Sequence, residues 1–431
     1  MKTKVVIQEV IVDNQNRDFK SVNKRDINLP LNTTKIISLT GVRRSGKTFI
    51  LLDTIQRLIK NKVDKTKIIH INFEDERLQL NTNDLDLILQ SYRELYPENN
   101  LSDCYFFFDE IQNIPQWEKF VRRLHENICT NIFITGSNSK MLSSDISTTL
   151  RGRNLNFEIF PLTFKEYLEF NDIKTNTNGS KQKSLVINYL KKYIKGGGFP
   201  ELLNIPKVYT QKVLQEYFYV MLYKDLIERY NISNASTLKY FLNRILVNIG
   251  KPTSVNKIFN ELKSNGYKVS KNTLYDYLEY SEAIYLNFSL SKFDFSLIKR
   301  ENSEKKNYFI DNGLINALSF KFSDNYGLLL ENAVYLFLRQ KYKDNLYYFK
   351  DNKECDFVVY ENETITDLIQ VCYNIDDTDT FKREKKSLMY AGEKLNVSEG
   401  TILTFDDDED EIIENGFKIK LIPVYKYFLK D

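Results

Sequence analysis

Cysteine is scarce. Four residues in 431, Cys104, Cys129, Cys355 and Cys372, stand far apart with no CxxC pair, which excludes a zinc cage or a disulfide framework and fits a reducing cytoplasm. Glycine (15) and proline (8) are too few for a disordered or fibrous chain, the more so beside 28 Tyr and 29 Phe. Neither sign of charge dominates: 61 Lys and Arg against 58 Asp and Glu leave +3, so no global basic field draws in nucleic acid and any polyanion contact has to be local. No apolar run nears the roughly 18 residues that a membrane-spanning helix needs, and the stretch from Met1 to Phe19 scatters charge where a secretory signal stays apolar. A soluble cytoplasmic chain with no membrane partner, large enough for more than one packed core, is expected.

What is present begins with a strand pattern, Lys35 to Thr40, that runs into Gly41-Val42-Arg43-Arg44-Ser45-Gly46-Lys47-Thr48 and on into an apolar-rich helix. This is the context of a phosphate-binding GxxxxGKT loop. Glycines let backbone N–H groups wrap phosphate oxygens, the helix N-terminus adds positive partial charge, Lys47 reaches the outer phosphates and Thr48 ligates Mg²⁺. Gly41, Arg43, Arg44, Ser45, Gly46, Lys47 and Thr48 form the expected ATP-binding set. The apolar run Cys104 to Phe108 ends in Asp109-Glu110, as a strand buried on both faces does when its C-terminal end meets a ligand crevice. Asp109 is expected to hold hydrated Mg²⁺ and Glu110 to polarise the attacking water. Asn131 to Thr135 reads as another strand, followed by Ser137 and Asn138, which either sense a γ-phosphate or cap the next segment. Arg151 and Arg153 offer guanidinium groups for transition-state charge, in cis or across a subunit contact, or form an ordinary surface pair.

The segments GVRRSGKT, FFFDEIQNIPQWEKFVRRL, ITGSNSKML, LRGR with FPLTFKEYL, and GGGFPELL occur in that order. In this they resemble a large family of prokaryotic AAA-type ATPases that join the ATPase to a C-terminal domain of unknown function, often similar to a restriction-endonuclease fold. The resemblance spans from about Arg25 to the region of Cys372. It implies that Gly41, Gly46, Lys47 and Thr48 bind nucleotide, that Asp109 and Glu110 are the Walker B pair, and that Arg153 belongs to the family's GR motif. It also implies hydrolysis of ATP and allows an oligomer in which one subunit's arginine serves the next.

Beyond this, a polar loop at Asn171 to Ser180 precedes helical periodicity from Leu185 to Tyr230, broken at Gly196-Gly197-Gly198-Phe199-Pro200. Val255, Ile258, Phe259 and Leu262 predict one helix, and Ser270 caps a second that carries Leu274, Tyr277 and Leu278. An alternating strand, Ile284 to Phe288, completes a winged-helix pattern. Its second helix exposes Lys271, Asn272, Tyr275, Asp276 and Glu279, and two acids there face phosphates badly. Lys299, Arg300, Lys305 and Lys306 supply a basic flank, leaving double-stranded DNA and a protein as alternative partners.

In the last third, Glu331 on an apolar helix and Asp356 on a strand resemble a PD-(D/E)xK nuclease core, yet Gln370-Val371-Cys372 stands where an acid and a lysine are needed. Lys382 is the candidate for a displaced lysine; otherwise Glu331, Glu354 and Asp356 are remnants that cap turns and pair with bases. The expected architecture is a multidomain α/β chain: a P-loop parallel sheet at 1–165, a helical lid at 166–245, a winged helix at 246–295 and a catalytically inactive restriction-endonuclease-like domain at 296–431. Three functions compete: an ATP-driven switch or motor, an ATP-controlled DNA nuclease, and a nucleotide-binding scaffold.

Overall fold

The computed structural model describes residues 2–17, 24–139, 148–177, 179–319 and 326–430. Lys140, Met141 and Leu142 of the ITGSNSKML segment, Asn178 of the polar loop, and Met1, Asp18 and Phe19 of the N-terminal stretch lie outside the described residues. The chain divides into two compact units, Met1–Phe160 with Ala283–Tyr285, and Pro161–Glu282 with Leu286–Asp431. Four segments were expected. The boundary falls at Phe160 because the following helix, Phe164–Glu169, packs on Ser180–Gly196 and Val424–Leu429 of the second unit.

The first unit contains α1 (Lys2–Asn16), β1 (Ile36–Thr40), α2 (Lys47–Lys60), β2 (Ile68–Asn72), α3 (Leu85–Leu95), β3 (Tyr105–Asp109), α4 (Trp117–Asn127), β4 (Ile132–Gly136) and β5 (Asn154–Glu158). The five strands lie in the order β2-β3-β4-β1-β5 and every pairing is parallel. A parallel sheet is covered on both faces, so its central strand reads as unbroken apolar sequence. In β3, Phe106 and Phe108 enter a core with Ile7, Ile88, Trp117 and Phe120. Phe107 enters the other core with Leu51 and Ile55 and stacks on Phe133 at 4.7 Å. Each of these rings, fully removed from water, contributes roughly 1.5–3 kcal/mol. Burial on both sides fixes the register, and the register aims Asp109 out of the C-terminal edge.

The second unit begins with α5 (Phe164–Glu169), α6 (Ser180–Gly196), α7 (Lys207–Val220), a π-helix over Met221–Glu228 and α8 (Ala235–Val247). Next come α9 (Val255–Ser264), α10 (Lys271–Ala283), β6 (Asn287–Leu290), α11 (Leu297–Asn302) and β7 (Lys306–Phe309), with β6 and β7 antiparallel. The expected strand from Ile284 starts later, at Asn287, because Tyr285 takes a left-handed φ of 61° that no ladder accepts. On α10, Lys271, Asn272, Tyr275, Asp276 and Glu279 are exposed while Leu274 and Tyr277 are buried, as the periodicity required.

The chain ends with α12 (Asn312–Leu318), α13 (Tyr326–Tyr342), β8 (Leu346–Lys350), β9 (Glu354–Glu361), β10 (Thr364–Cys372), α14 (Thr378–Leu395), β11 (Glu399–Thr404), β12 (Asp410–Glu414), β13 (Phe417–Pro423) and α15 (Val424–Leu429). Here a six-stranded mixed sheet runs β12-β13-β11-β10-β9-β8. The triple glycine finds its reason in this unit: Gly197 has φ 78°, and a Cβ on it would lie 2.1 Å from the Asp311 carboxylate, which accepts the Gly198 N–H at 2.7 Å. The described cysteines are free and buried, and among the described residues no helix is long and apolar enough to cross a membrane.

Candidate functional site

The phosphate-binding loop leaves β1 at Gly41, where a side chain is impossible: a Cβ would stand 2.1 Å from the Ile159 carbonyl oxygen. Arg25, buried, braces the loop from behind, donating to Ser45 O at 2.7 Å and Phe160 O at 3.0 Å. No side chain caps α2 at Gly46, so the amides of its first turn are left for an anion. Lys47 is buried, and its Nζ donates to Gly41 O at 3.0 Å and Val42 O at 3.1 Å, 3.5 Å from Glu110 Oε1. The Ser45 hydroxyl is buried with no partner. A buried cation resting on neutral carbonyls, an orphan hydroxyl and uncapped amides are the groups a triphosphate takes up.

Asp109 and Glu110 meet this loop from β3. Thr48 Oγ1 donates to Asp109 Oδ2 at 2.8 Å, and Thr135 Oγ1 donates to Asp109 Oδ1. Thr135 also accepts the Glu110 N–H at 2.8 Å, holding Glu110 in its left-handed conformation, φ 52°. Gln112 donates to Glu110 Oε2 at 2.6 Å and lies 3.4 Å from Ser137 Oγ. Burial, then the neighbouring charge of Glu110, push Asp109 up to about 6. Burial also works against charge on Glu110, but Lys47, the Gln112 amide and Arg43 outweigh it and leave this carboxyl below its ordinary value. The pair therefore differs in basicity. Thr48 and Asp109 offer oxygen donors suited to Mg²⁺.

The remaining expected residues fall into two groups. Ser137 and Asn138 are buried at the end of β4, on the same sheet edge as Glu110. Arg43 turns to Glu74, with which it pairs at 2.8 Å, and Arg44 is exposed with φ 65°. For Arg153 the in-cis alternative falls away. Asn154 is in register with Ile36, and Ile36 N donates to Arg153 O at 2.8 Å, so Arg153 stands at the N-terminal end of β1 while the loop leaves the C-terminal end, about 15 Å of strand away. Its guanidinium pairs with Glu126 at 2.8 Å, and Arg151 sits 3.5 Å from the same acid. Arg153 does not reach its own chain's nucleotide loop.

Sequence reasoning missed Arg25, Gln112, Thr135 and Tyr285. Tyr285 donates to Thr40 Oγ1 at 2.9 Å, immediately before the loop. Gln112 and Thr135 lie inside the segments FFFDEIQNIPQWEKFVRRL and ITGSNSKML, where nothing local gives them a role, and no motif contains Arg25 or Tyr285.

A second cluster lies in the other unit. Lys306, assigned above to an exposed basic flank, is fully buried, because Nζ is drawn to Glu354 at 2.8 Å, Asp356 at 3.2 Å and Glu331 at 3.3 Å. Burial opposes its charge, and Glu331, Tyr308, Asp356 and Glu354 together raise it well above the ordinary lysine range. Burial pushes Glu331 up to about 7, against the pull of Lys306. Gln370 accepts the Asp356 N–H at 3.1 Å and donates to Glu384 at 2.6 Å, and Cys372 is buried. Lys382 lines the cleft beside this cluster, but it is Lys306 that meets the carboxylates.

The parallel five-stranded sheet, the loop and the acidic strand end define a P-loop ATPase core, and the AAA domain family matches residues 33–168. A domain of unknown function (DUF8612) matches residues 187–325. The chain belongs to one protein family with the uncharacterized protein MJ1544 of Methanocaldococcus jannaschii, to which it is 40% identical over 441 residues, covering 99% of this chain and 96% of the relative. An uncharacterized protein of Haemophilus influenzae is 30% identical over 342 residues, 79% of this chain and 82% of its own length. MJ1637, also of M. jannaschii, is 24% identical over 432 residues, 93% and 88% of the two chains. Among solved structures, the Aeropyrum pernix ORC1 protein in complex with DNA aligns with a TM-score of 0.33 and 11% identity over 74% of this chain and 91% of that one, a likeness too slight to support any statement about this chain.

Proposed function

We propose that the chain binds Mg·ATP at the C-terminal edge of the parallel sheet, hydrolyses it to ADP and phosphate, and works as a nucleotide-driven switch. One observation carries this reading: Lys47, Thr48, Asp109 and Glu110 converge there with the charges that phosphoryl transfer to water needs. Lys47 exchanges its two carbonyl acceptors for phosphate oxygens. Thr48 and Asp109 would hold the metal, which would offset phosphate charge. Glu110, kept ionised by Lys47 and Gln112, orients water and takes its proton, while Thr135 fixes both carboxylates. Arg153 contributes only across a contact between copies, since it is remote from its own loop.

Helices α9 and α10 with the β6–β7 ribbon support a winged-helix reading, and the order α13, β8, β9, β10, α14, β11 supports a restriction-endonuclease-like one. For the partner, the observations favour protein over duplex DNA. Asp276 and Glu279 are exposed on α10, Lys306 is withdrawn from the basic flank, and Arg300 lies 4.7 Å over the Tyr347 ring.

The test is equilibrium binding of a fluorescent ATP analogue with Mg²⁺, followed by steady-state hydrolysis with and without duplex DNA. Binding that K47A loses, with turnover indifferent to DNA, is expected. Binding by K47A equal to wild type overturns the nucleotide site, and stimulation by DNA overturns the choice of partner.

A further inference from the structure

Glu331 comes from α13, Glu354 and Asp356 from β9, and their oxygens surround one atom, Lys306 Nζ, at 3.3, 2.8 and 3.2 Å. Other contacts hold the carboxylates in place. Tyr308 Oη donates to Glu331 Oε1 at 2.7 Å, Val371 N to Asp356 Oδ2 at 3.0 Å, and Lys350 Nζ to Glu354 Oε2 at 2.9 Å. Each carboxylate thus has a partner besides the cation at the centre. It opens on a cleft of about 1050 Å³, also lined by Gln370, Lys382 and Glu384.

A buried structural lysine needs one carboxylate to balance it. This one has three, and one ammonium offsets only part of the charge that the set can carry. Convergent carboxylate oxygens from neighbouring elements are the donor set of a hard divalent cation, which binds oxygen at about 2.0–2.6 Å. The observed spacing of 2.8–3.3 Å is longer than that by roughly 0.2–1.3 Å.

We propose that Lys306 is a tethered cation seated in a divalent-cation site: its ammonium keeps Mg²⁺, Mn²⁺ or Ca²⁺ out of the Glu331, Glu354 and Asp356 cage, and removing it opens a metal site facing the cleft. The inference concerns the second unit alone and holds whether or not the chain hydrolyses ATP. It assigns the missing lysine of the Gln370-Val371-Cys372 segment a counterpart on another strand, with the role of the metal instead of that of the metal's helper.

The test counts Mn²⁺ bound to the nucleotide-free, full-length protein by electron paramagnetic resonance, for wild type, D356N, K306M and K306M/D356N. Comparison with D356N separates the cage from any Mn²⁺ at the phosphate loop. Wild type and D356N are expected to bind alike, K306M to gain one Mn²⁺ equivalent, and K306M/D356N to lose it. If K306M does not fold without metal, K306M/E331Q, which removes one of the uncompensated charges, is expected to fold and to take the ion on Glu354 and Asp356. A D356N-sensitive Mn²⁺ in wild type overturns the proposal. So does folded K306M, or folded K306M/E331Q, without the added ion, or failure of both to fold in excess Mn²⁺.

Discussion

Two lysines in this chain are almost equally hidden from water, and their surroundings give them opposite chemistry. Lys47 rests on two backbone carbonyls with Glu110 at 3.5 Å, beside an unpartnered serine hydroxyl. Lys306 is enclosed by three carboxylates at 2.8–3.3 Å. A neutral carbonyl is a weak rival to a phosphate oxygen, so the first ammonium remains available to an anionic ligand. The second is already saturated by anions. Burial alone does not tell a binding lysine from a structural one; the charge of its acceptors does.

The sharpest way to break this contrast is to remove each lysine in turn. K47A should lower ATP turnover by about 100-fold or more, with a smaller loss of stability than at Lys306, because one buried carboxylate, Glu110 at 3.5 Å, loses its counter-charge where Lys306 balances three. Steady-state phosphate release and a thermal melt of the same sample check both halves. K306M without added metal should act chiefly on the second unit, destabilising it by about 3–5 kcal/mol as three carboxylates lose their counter-charge. A urea titration followed by near-ultraviolet circular dichroism reads it, and a loss below about 1 kcal/mol, the size of a surface pair, would make the cluster ordinary.

A smaller effect sharpens the Lys47 side. T135V removes the hydroxyl that touches Asp109 and the Glu110 amide, and should lower kcat about 10-fold to 100-fold with ATP affinity kept. A KM that rises in step with the fall in kcat would mean that Thr135 shapes binding instead. The smallest effect concerns pH. Asp311 is fully buried, and burial raises it to about 7 although Gly198, Leu314 and Gly313 donate to it. The folded state therefore holds a proton that the unfolded chain has released, so this contribution to stability is present at low pH and is lost as pH rises from about 4 to about 7. Glu331 titrates in the same direction. The unfolding midpoint of wild type should fall between about pH 5 and pH 8, and that of D311N should fall less.

The two clusters also differ in how far they could be read from sequence. The nucleotide loop and Asp109-Glu110 are contiguous runs whose residue types are dictated by local backbone, so the strand, turn and helix around them were legible. Thr135 was not, because it meets Asp109 only through the packing of parallel strands 26 residues apart in sequence. Lys306 reaches Glu331 across 25 residues and Asp356 across 50, and its neighbours in sequence, Lys305 and Arg300, made it look like part of a surface patch. The alternation that buries it belongs to β7, only four residues long, too short for a period of two to stand out. For Arg153 the motif was visible, but only the parallel register of β5 on β1 reveals at which end of the sheet it lies and so removes the option of a role in cis.

The decisive observation for the nucleotide site is phosphate release by E110Q compared with wild type, at an ATP concentration that saturates both. Substituting the amide keeps the shape and the Lys47 contact but removes the group that accepts the proton from water. Full nucleotide binding with turnover reduced at least about 100-fold would establish Glu110 as the hydrolytic base. Turnover equal to wild type would contradict this and leave Glu110 as a buried carboxylate with no part in moving the proton.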